Sequence, residues 1–344
     1  MREDRMMNEK KQSAVKRILG TRGMGAVITA FAGLIIIYVA FGLIDRKVFA
    51  GQNVMNLLRS MSKYLLIGVG QSYLLITGNI DLSIGSMVGM SAMISATLMA
   101  MGVNPFVAMA VAMICCLVTG VVNGMLVGKF KLPPFIATLG TMFVTRGVAY
   151  MVNNNRNTDA IATGIGKEAG DRFQNFFYYG KTLGVYNTFW IALVIFLLFF
   201  FLLSKTRTGR HIYAIGSNVD AAKLSGVNVV NTTIKAYLVS SVCACVVGYI
   251  LCAQAGMGNM EAGNMYEMYG VAAGVIGGIS PLGGTGLLLG TFAGAAVWQT
   301  LENGLNMIGA QVGIQRLVIG IIVVFSVLLD VVVRSGNFGK KATK

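Results

Sequence analysis

Apolar residues gather along this chain in runs of about twenty, each closed by a short polar or glycine-containing stretch. Twenty helical residues at 1.5 Å rise span the hydrocarbon core of a bilayer. The pattern predicts ten crossings, at about 24–44, 54–77, 82–101, 106–128, 134–152, 186–203, 233–255, 269–281, 286–308 and 312–333. The eighth is short and rich in glycine (Gly270, Gly274, Gly277, Gly278), the pattern of a broken or half-crossing helix beside a transport pathway. The predicted fold class is all-α: a polytopic membrane helix bundle of about ten transmembrane helices.

Composition supports this reading. The 344 residues are 55% hydrophobic and only 12% charged, which excludes an ordinary soluble protein. A net charge of +15 on a soluble chain would suggest nucleic acid. Here the basic residues sit between and beyond the apolar runs, where they act as topology signals, and no nucleic acid is expected. Basic clusters at Arg2 to Arg22, at Lys129 and Lys131, between Lys205 and Lys235, and from Arg334 to Lys344 place both termini in the cytoplasm by the positive-inside rule. An even number of crossings follows. Residues 1–23 and 334–344 are then basic cytoplasmic tails around one transmembrane domain, 24–333. No A-x-A-like cleavage site follows the first apolar run, so that run is expected to stay as the first crossing.

Small-xxx-small spacings at Gly85/Gly89, Gly120/Gly124, Gly274/Gly278 and Gly290/Gly294 predict closely packed helices or a moving seam between them. The five cysteines lie in or beside apolar runs and read as free thiols; no metal site is expected. Two longer segments interrupt the pattern, a polar one outside at 153–185 and a basic one inside at 204–232, and each is a candidate docking surface.

Within the inner segment, Ser217 or Asn218 is suited to cap a short helix, Asp220 suits its positive end, and Gly226 can end it in the left-handed conformation. Ala221, Ala222 and Leu224 would then be available to a partner, and Lys223 and Ser225 complete the turn. An interfacial helix lying on the membrane is the alternative. The run Gly216–Val229 (GSNVDAAKLSGVNV), preceded by Thr206–Gly216 (TRTGRHIYAIG), closely resembles the cytoplasmic loop of ABC sugar permeases of the ribose and galactoside type. Leu75–Met87 (LITGNIDLSIGSM) and Tyr266–Gly290 (YEMYGVAAGVIGGISPLGGTGLLLG) agree with that family in order and spacing, and the similarity runs from about Val54 to Asp330. The resemblance implies a second permease copy, identical or related, two ABC ATPase subunits and an extracytoplasmic sugar-binding protein. It implies a bacterial inner-membrane location, with 218–226 as the coupling helix.

No G-x-x-x-x-G-K-[ST] occurs, so ATP and Mg are expected on the partner ATPase, with no cofactor on this chain and no enzymatic chemistry in it. The single His211 lies in the inner segment, away from any Ser/His/Asp or Cys/His constellation.

Polar residues inside crossings are costly and mark pathways or helix contacts. Asn79, Asp81 and Ser83 lie where the second crossing hands over to the third, as a helix cap or as a gate. Gln299, Glu302, Asn303 and Asn306 form a stripe on the ninth crossing beside Trp298, either a hydrated path or an interhelical network. Asn123, Gln71 and Glu267 are further candidates, and Arg146 is expected to snorkel or to pair with a carboxylate. Relatives often carry an acid two positions after that glutamate, where this chain has Tyr269. Two rivals stand beside a monosaccharide permease: the same architecture serving nucleosides or branched-chain amino acids, and a self-sufficient secondary transporter or channel. The latter needs buried titratable groups, and the sequence reading finds little beyond Glu302 and Arg146.

Overall fold

The computed structural model describes residues 23–318 together with 320, 321, 324 and 328. The chain opens with α1 (Met24–Ile44), apolar on every face, and turns through a short 3-10 helix (Arg46–Phe49) capped by the Asp45 carboxylate, which accepts from Lys47 N–H at 2.8 Å. Four longer helices follow: α2 (Gly51–Ile76), α3 (Ile84–Ala100), α4 (Pro105–Gly128) and α5 (Pro134–Met151). Proline opens both α4 and α5, where its missing N–H costs nothing.

The polar segment predicted outside is not a plain loop. It folds into α6 (Ile161–Ile165), α7 (Lys167–Gln174), a π-helical turn (Asn175–Tyr179) and a minimal antiparallel hairpin, β1 (Lys181–Thr182) with β2 (Val185–Tyr186). The long apolar α8 (Asn187–Lys205) leads to two short helices, α9 (Arg207–Ser217) and α10 (Val219–Leu224). The chain then forms α11 (Val229–Ala255), the short α12 (Tyr266–Ile276) and α13 (Leu288–Met307). Residues 312–318 are helical again, but most of the tenth predicted crossing and both basic tails lie outside the described residues.

Among the described residues, α1, α4, α8 and α11 are long and apolar enough to cross a membrane. The first three leave large apolar side chains on the outside, such as Ile36, Ile114 and Val194. Surfaces of this kind suit lipid and would be unfavourable in water. The core lies between α2, α3, α11, α12 and α13, with Leu65, Ile67, Met87, Tyr237 and Ala273 sealed inside. Here the small-residue spacings have partners. Gly120 and Gly124 of α4 meet Ser241, Tyr237 and Ile234 of α11, while Gly290 and Gly294 of α13 meet Gly277 and Ala273 at the backbone.

Candidate functional site

The basic segment 204–232 forms the short helix that its sequence predicts. Asn218, rather than Ser217, is the cap: its Oδ1 accepts from Ala221 N–H at 2.9 Å, and Ser217 closes the preceding helix. Asp220 occupies the first turn and pairs with Lys223 at 3.6 Å. The end is a Schellman motif, with Gly226 N–H donating to Lys223 O at 2.9 Å and Val227 N–H to Ala222 O at 3.0 Å. Gly226 has φ +80°, a conformation a β-carbon disfavours. One expectation is corrected. Ala222 is only 4% exposed because it faces the bundle, so the surface offered outward is Val219, Ala221 and above all Leu224, which is 91% exposed.

The neighbouring α9 ties this segment to the bundle. Thr206 caps it, and Tyr213 near its end donates to Gly286 O at 2.7 Å. Burial pushes the Tyr213 hydroxyl pKa up to about 12. Gly216 packs against Ile76 O at the end of α2 and against Gly284 N, while Gly284 N–H donates to that same Ile76 oxygen at 2.8 Å. Three chain segments therefore meet backbone to backbone: the approach to α10, the end of α2 and the turn between α12 and α13.

Just beyond this junction lies a closed polar network. Asp81 is fully buried. Its Oδ1 accepts from Ser83 N–H at 2.8 Å and from the Ser83 hydroxyl at 2.6 Å, and its Oδ2 accepts from Ser240 of α11 at 2.7 Å. Asn123 of α4 donates to Ser83 Oγ at 2.9 Å and accepts from Thr141 of α5 at 2.7 Å. Gln71 donates to Asp81 O at 2.6 Å, and Tyr237 donates to Ile80 O at 3.0 Å. The hand-over from α2 to α3 is thus pinned to α4 and α11 directly and to α5 through Asn123, and among the described residues no cation pairs with its carboxylate. Asn79 stays local, donating to Thr77 at 2.8 Å.

The predicted eighth crossing is broken. Its helix runs from Tyr266 to Ile276, three residues earlier at its start than predicted and about 16 Å long. The missing part is residues 256–265, an irregular stretch that descends beside α3: Gly258 touches Ala96 and Met93, and Gly263 touches Val88 and Gly85. Irregular backbone at this depth needs partners from elsewhere in the protein. Arg146 of α5 supplies two, donating from one nitrogen to Met260 O and to Ala262 O, each at 2.9 Å. It takes carbonyls, where snorkelling or a carboxylate partner was expected. Asn157 accepts from Met260 N–H at 3.0 Å, and Thr158 Oγ1 accepts from Gly258 N–H at 2.8 Å. Glu267 packs against Gly85 of α3.

A cleft of about 440 Å³ opens beside this stretch, lined by Lys63, Gln254, Asn259, Glu261, Asn264 and Tyr266 among others. Small-ligand pockets typically measure about 300–1,000 Å³. Behind it stands an aromatic group. Tyr64 lies 5.9 Å from Tyr266, 5.7 Å from Tyr269 and 6.3 Å from Trp298 between ring centroids, and its hydroxyl donates to Glu302 at 2.8 Å. Elsewhere the stripe on α13 spends its polar atoms on neighbours. Asn303 exchanges two hydrogen bonds with Asn53, both 3.1 Å, and Asn306 accepts from Gln315 at 2.9 Å. Gln299 Oε1 is buried without a partner.

A family profile described as branched-chain amino acid transport system / permease component matches residues 53–327. The chain belongs to that permease family. It is 34% identical over 297 residues to the ribose import permease protein of Escherichia coli K12, covering 86% of this chain and 91% of that protein. Identity to the ribose import permease protein of Bacillus subtilis 168 is 35% over 325 residues, 94% and 98% of the two chains. The galactose/methyl galactoside import permease protein of Haemophilus influenzae Rd is 33% identical over 291 residues, 81% and 86% of the two chains. No solved structure matches the chain.

As a member of this permease family, the chain is a multi-pass membrane protein, and two of its intramembrane groups escaped the sequence reading. Arg59 and Lys63 both lie within α2. Arg59 sits over the rings of Tyr178 and Tyr186, 4.5 and 4.1 Å from their centroids, and so holds the π-helical turn and the hairpin to α2. Lys63 donates to Gln254 at 3.2 Å and faces the cleft. Averaging hydropathy over a window hides two cations among apolar neighbours. Their spacing of four, which puts both on one helix face, was the available signal.

Proposed function

We propose that this chain is the membrane-spanning permease subunit of a bacterial inner-membrane ABC importer that moves a monosaccharide such as ribose, galactose or xylose inward by alternating access. A separate ATPase subunit, holding ATP and Mg, would drive it, an extracytoplasmic binding protein would feed it, and a second permease copy would complete the pore. The substrate class rests on the relatives, whose names specify ribose, allose and galactose. The observation that carries the mechanism is α10, a helix capped at both ends that presents Leu224 outward while its base is locked to α2 and the α12–α13 turn. Differential contacts of α10 with the ATPase in its two states would bias the bundle, since only unequal binding shifts an equilibrium.

This reading keeps the ten crossings, both termini inside, and 204–232 facing the cytoplasm. Deleting Val219–Ser225 should abolish uptake while the protein stays in the membrane; normal uptake by that deletion would remove the coupling role. The description of the family favours a second reading, a permease for amino acids, and uptake assays with radiolabelled sugar and leucine separate the two. Arg59 and Lys63 give a self-sufficient transporter more titratable groups than expected, and uptake persisting without an ATPase would favour it.

A further inference from the structure

The cleft beside residues 256–265 combines three properties. It lies at the break in a crossing, where irregular backbone and the start of a half-helix meet. It is rich in directional polar groups: the Lys63 ammonium, the side-chain amides of Gln254, Asn259 and Asn264, and the Tyr266 hydroxyl. Its carboxylates are engaged by hydroxyls of this chain: Glu261 accepts from Tyr150 at 2.7 Å, and Glu302, behind the cleft, accepts from Tyr64 at 2.8 Å.

A sugar ring asks for several groups that donate and accept hydrogen bonds, and for a flat apolar surface against its C–H face. Lys63 spends one donor on Gln254 and has others on the same ammonium. The Tyr266 ring, backed by Tyr64 and by Tyr269 at 5.6 Å, supplies the surface.

We infer that this cleft is the transient intramembrane site of the transported solute, with Lys63, Gln254 and Tyr266 as its contacts. The inference rests on the importer reading above and adds the place. The test is amide hydrogen exchange on the assembled permease–ATPase complex with D-ribose, D-allose, D-galactose or L-leucine. Whichever sugar the complex imports should slow exchange at 256–266, by at least about five-fold at a sugar concentration a few times the site's Kd. L-leucine should leave it unchanged, and Lys63→Met should remove the protection. In transport assays Lys63→Met should lower the maximal rate without moving KM, which the external binding protein sets. Unchanged exchange at 256–266 with a sugar that the same complex imports overturns the site and leaves the importer standing. Protection by L-leucine instead overturns the monosaccharide reading. A complex that imports no sugar at all sinks the importer reading itself.

Discussion

Gly216, near the end of α9, lies directly against the carbonyl of Ile76, the last residue of α2, with no room between them for a methyl group. That carbonyl also receives the Gly284 N–H at 2.8 Å. One oxygen thus fixes the approach to α10, the end of a core helix and the turn that connects α12 to α13.

Gly216→Ala should therefore impair transport far more than its size suggests. Overpacking of this kind costs about 1–3 kcal/mol, and here the strain falls on the link between α10 and the bundle. Sugar uptake should drop while basal ATP hydrolysis by the complex continues. Gly140→Ala is the control, because a methyl group there meets nothing. Equal uptake by the two variants would show that the joint transmits nothing.

The two ends of α10 make separate contributions. Asn218→Ala removes the cap and should destabilise the helix by about 0.5–2 kcal/mol. Gly226→Val forces a branched side chain into φ +80° and should cost at least about 1 kcal/mol, more than Gly226→Asn. Leu224→Asp changes no internal contact of an almost fully exposed side chain. It should leave the Tm of the purified permease in place and cut ATP-driven uptake, and a shift in Tm without a transport defect would argue against docking through Leu224.

Asp81 predicts a graded series. Ser240→Ala removes one donor from the carboxylate and should cost about 1–3 kcal/mol, as expected for a buried charged group losing a bond. Asp81→Ala strands the Ser83 and Ser240 hydroxyls together and should cost more. Thermal unfolding in detergent measures both. A smaller loss for Asp81→Ala than for Ser240→Ala would contradict the network.

Arg146 should be needed for the order of 256–265. Arg146→Met leaves the Met260 and Ala262 carbonyls without their donor, at roughly 1–3 kcal/mol each. Faster hydrogen exchange across that stretch is the expected readout. Arg146→Lys keeps the charge and should rescue the protection in part.

Tyr213 gives a pH signature. Its folded pKa of about 12 exceeds the ordinary 10.0, so the folded state favours the neutral hydroxyl that donates to Gly286. The stability it contributes is complete below pH 10 and fades as the pH rises through about 12. Tyr213→Phe should lose about 1 kcal/mol at neutral pH and flatten the alkaline decline. An unchanged alkaline profile would refute the assignment.

Much of this was legible in the residues. Runs of apolar side chains locate α1, α4, α8 and α11, because length and hydropathy are properties of a segment on its own. The caps of α10 are equally local, and Gly226 announces its left-handed turn. The broken crossing was harder to see. Residues 256–265 carry Met and Asn and no period, so they resemble a surface loop, and it takes Arg146, Asn157 and Thr158, about a hundred positions earlier, to make them tolerable inside. Asp81, Ser83, Asn123 and Gln71 were visible as separate residues, whereas Ser240 and Tyr237 were not, and the closure of the network needs the tertiary fold. Lys63 was hidden by its apolar neighbours.

An ordinary helix crossing a bilayer holds itself together along its own axis, so bending it means breaking several of its own bonds at once. Residues 256–265 are held sideways, by an arginine, an asparagine and a threonine from other segments. Such a stretch can exchange one lateral bond for another in small steps. A wall of the solute cleft can thereby change shape while the surrounding helices stay folded, which is what a passage that opens to opposite sides in turn requires.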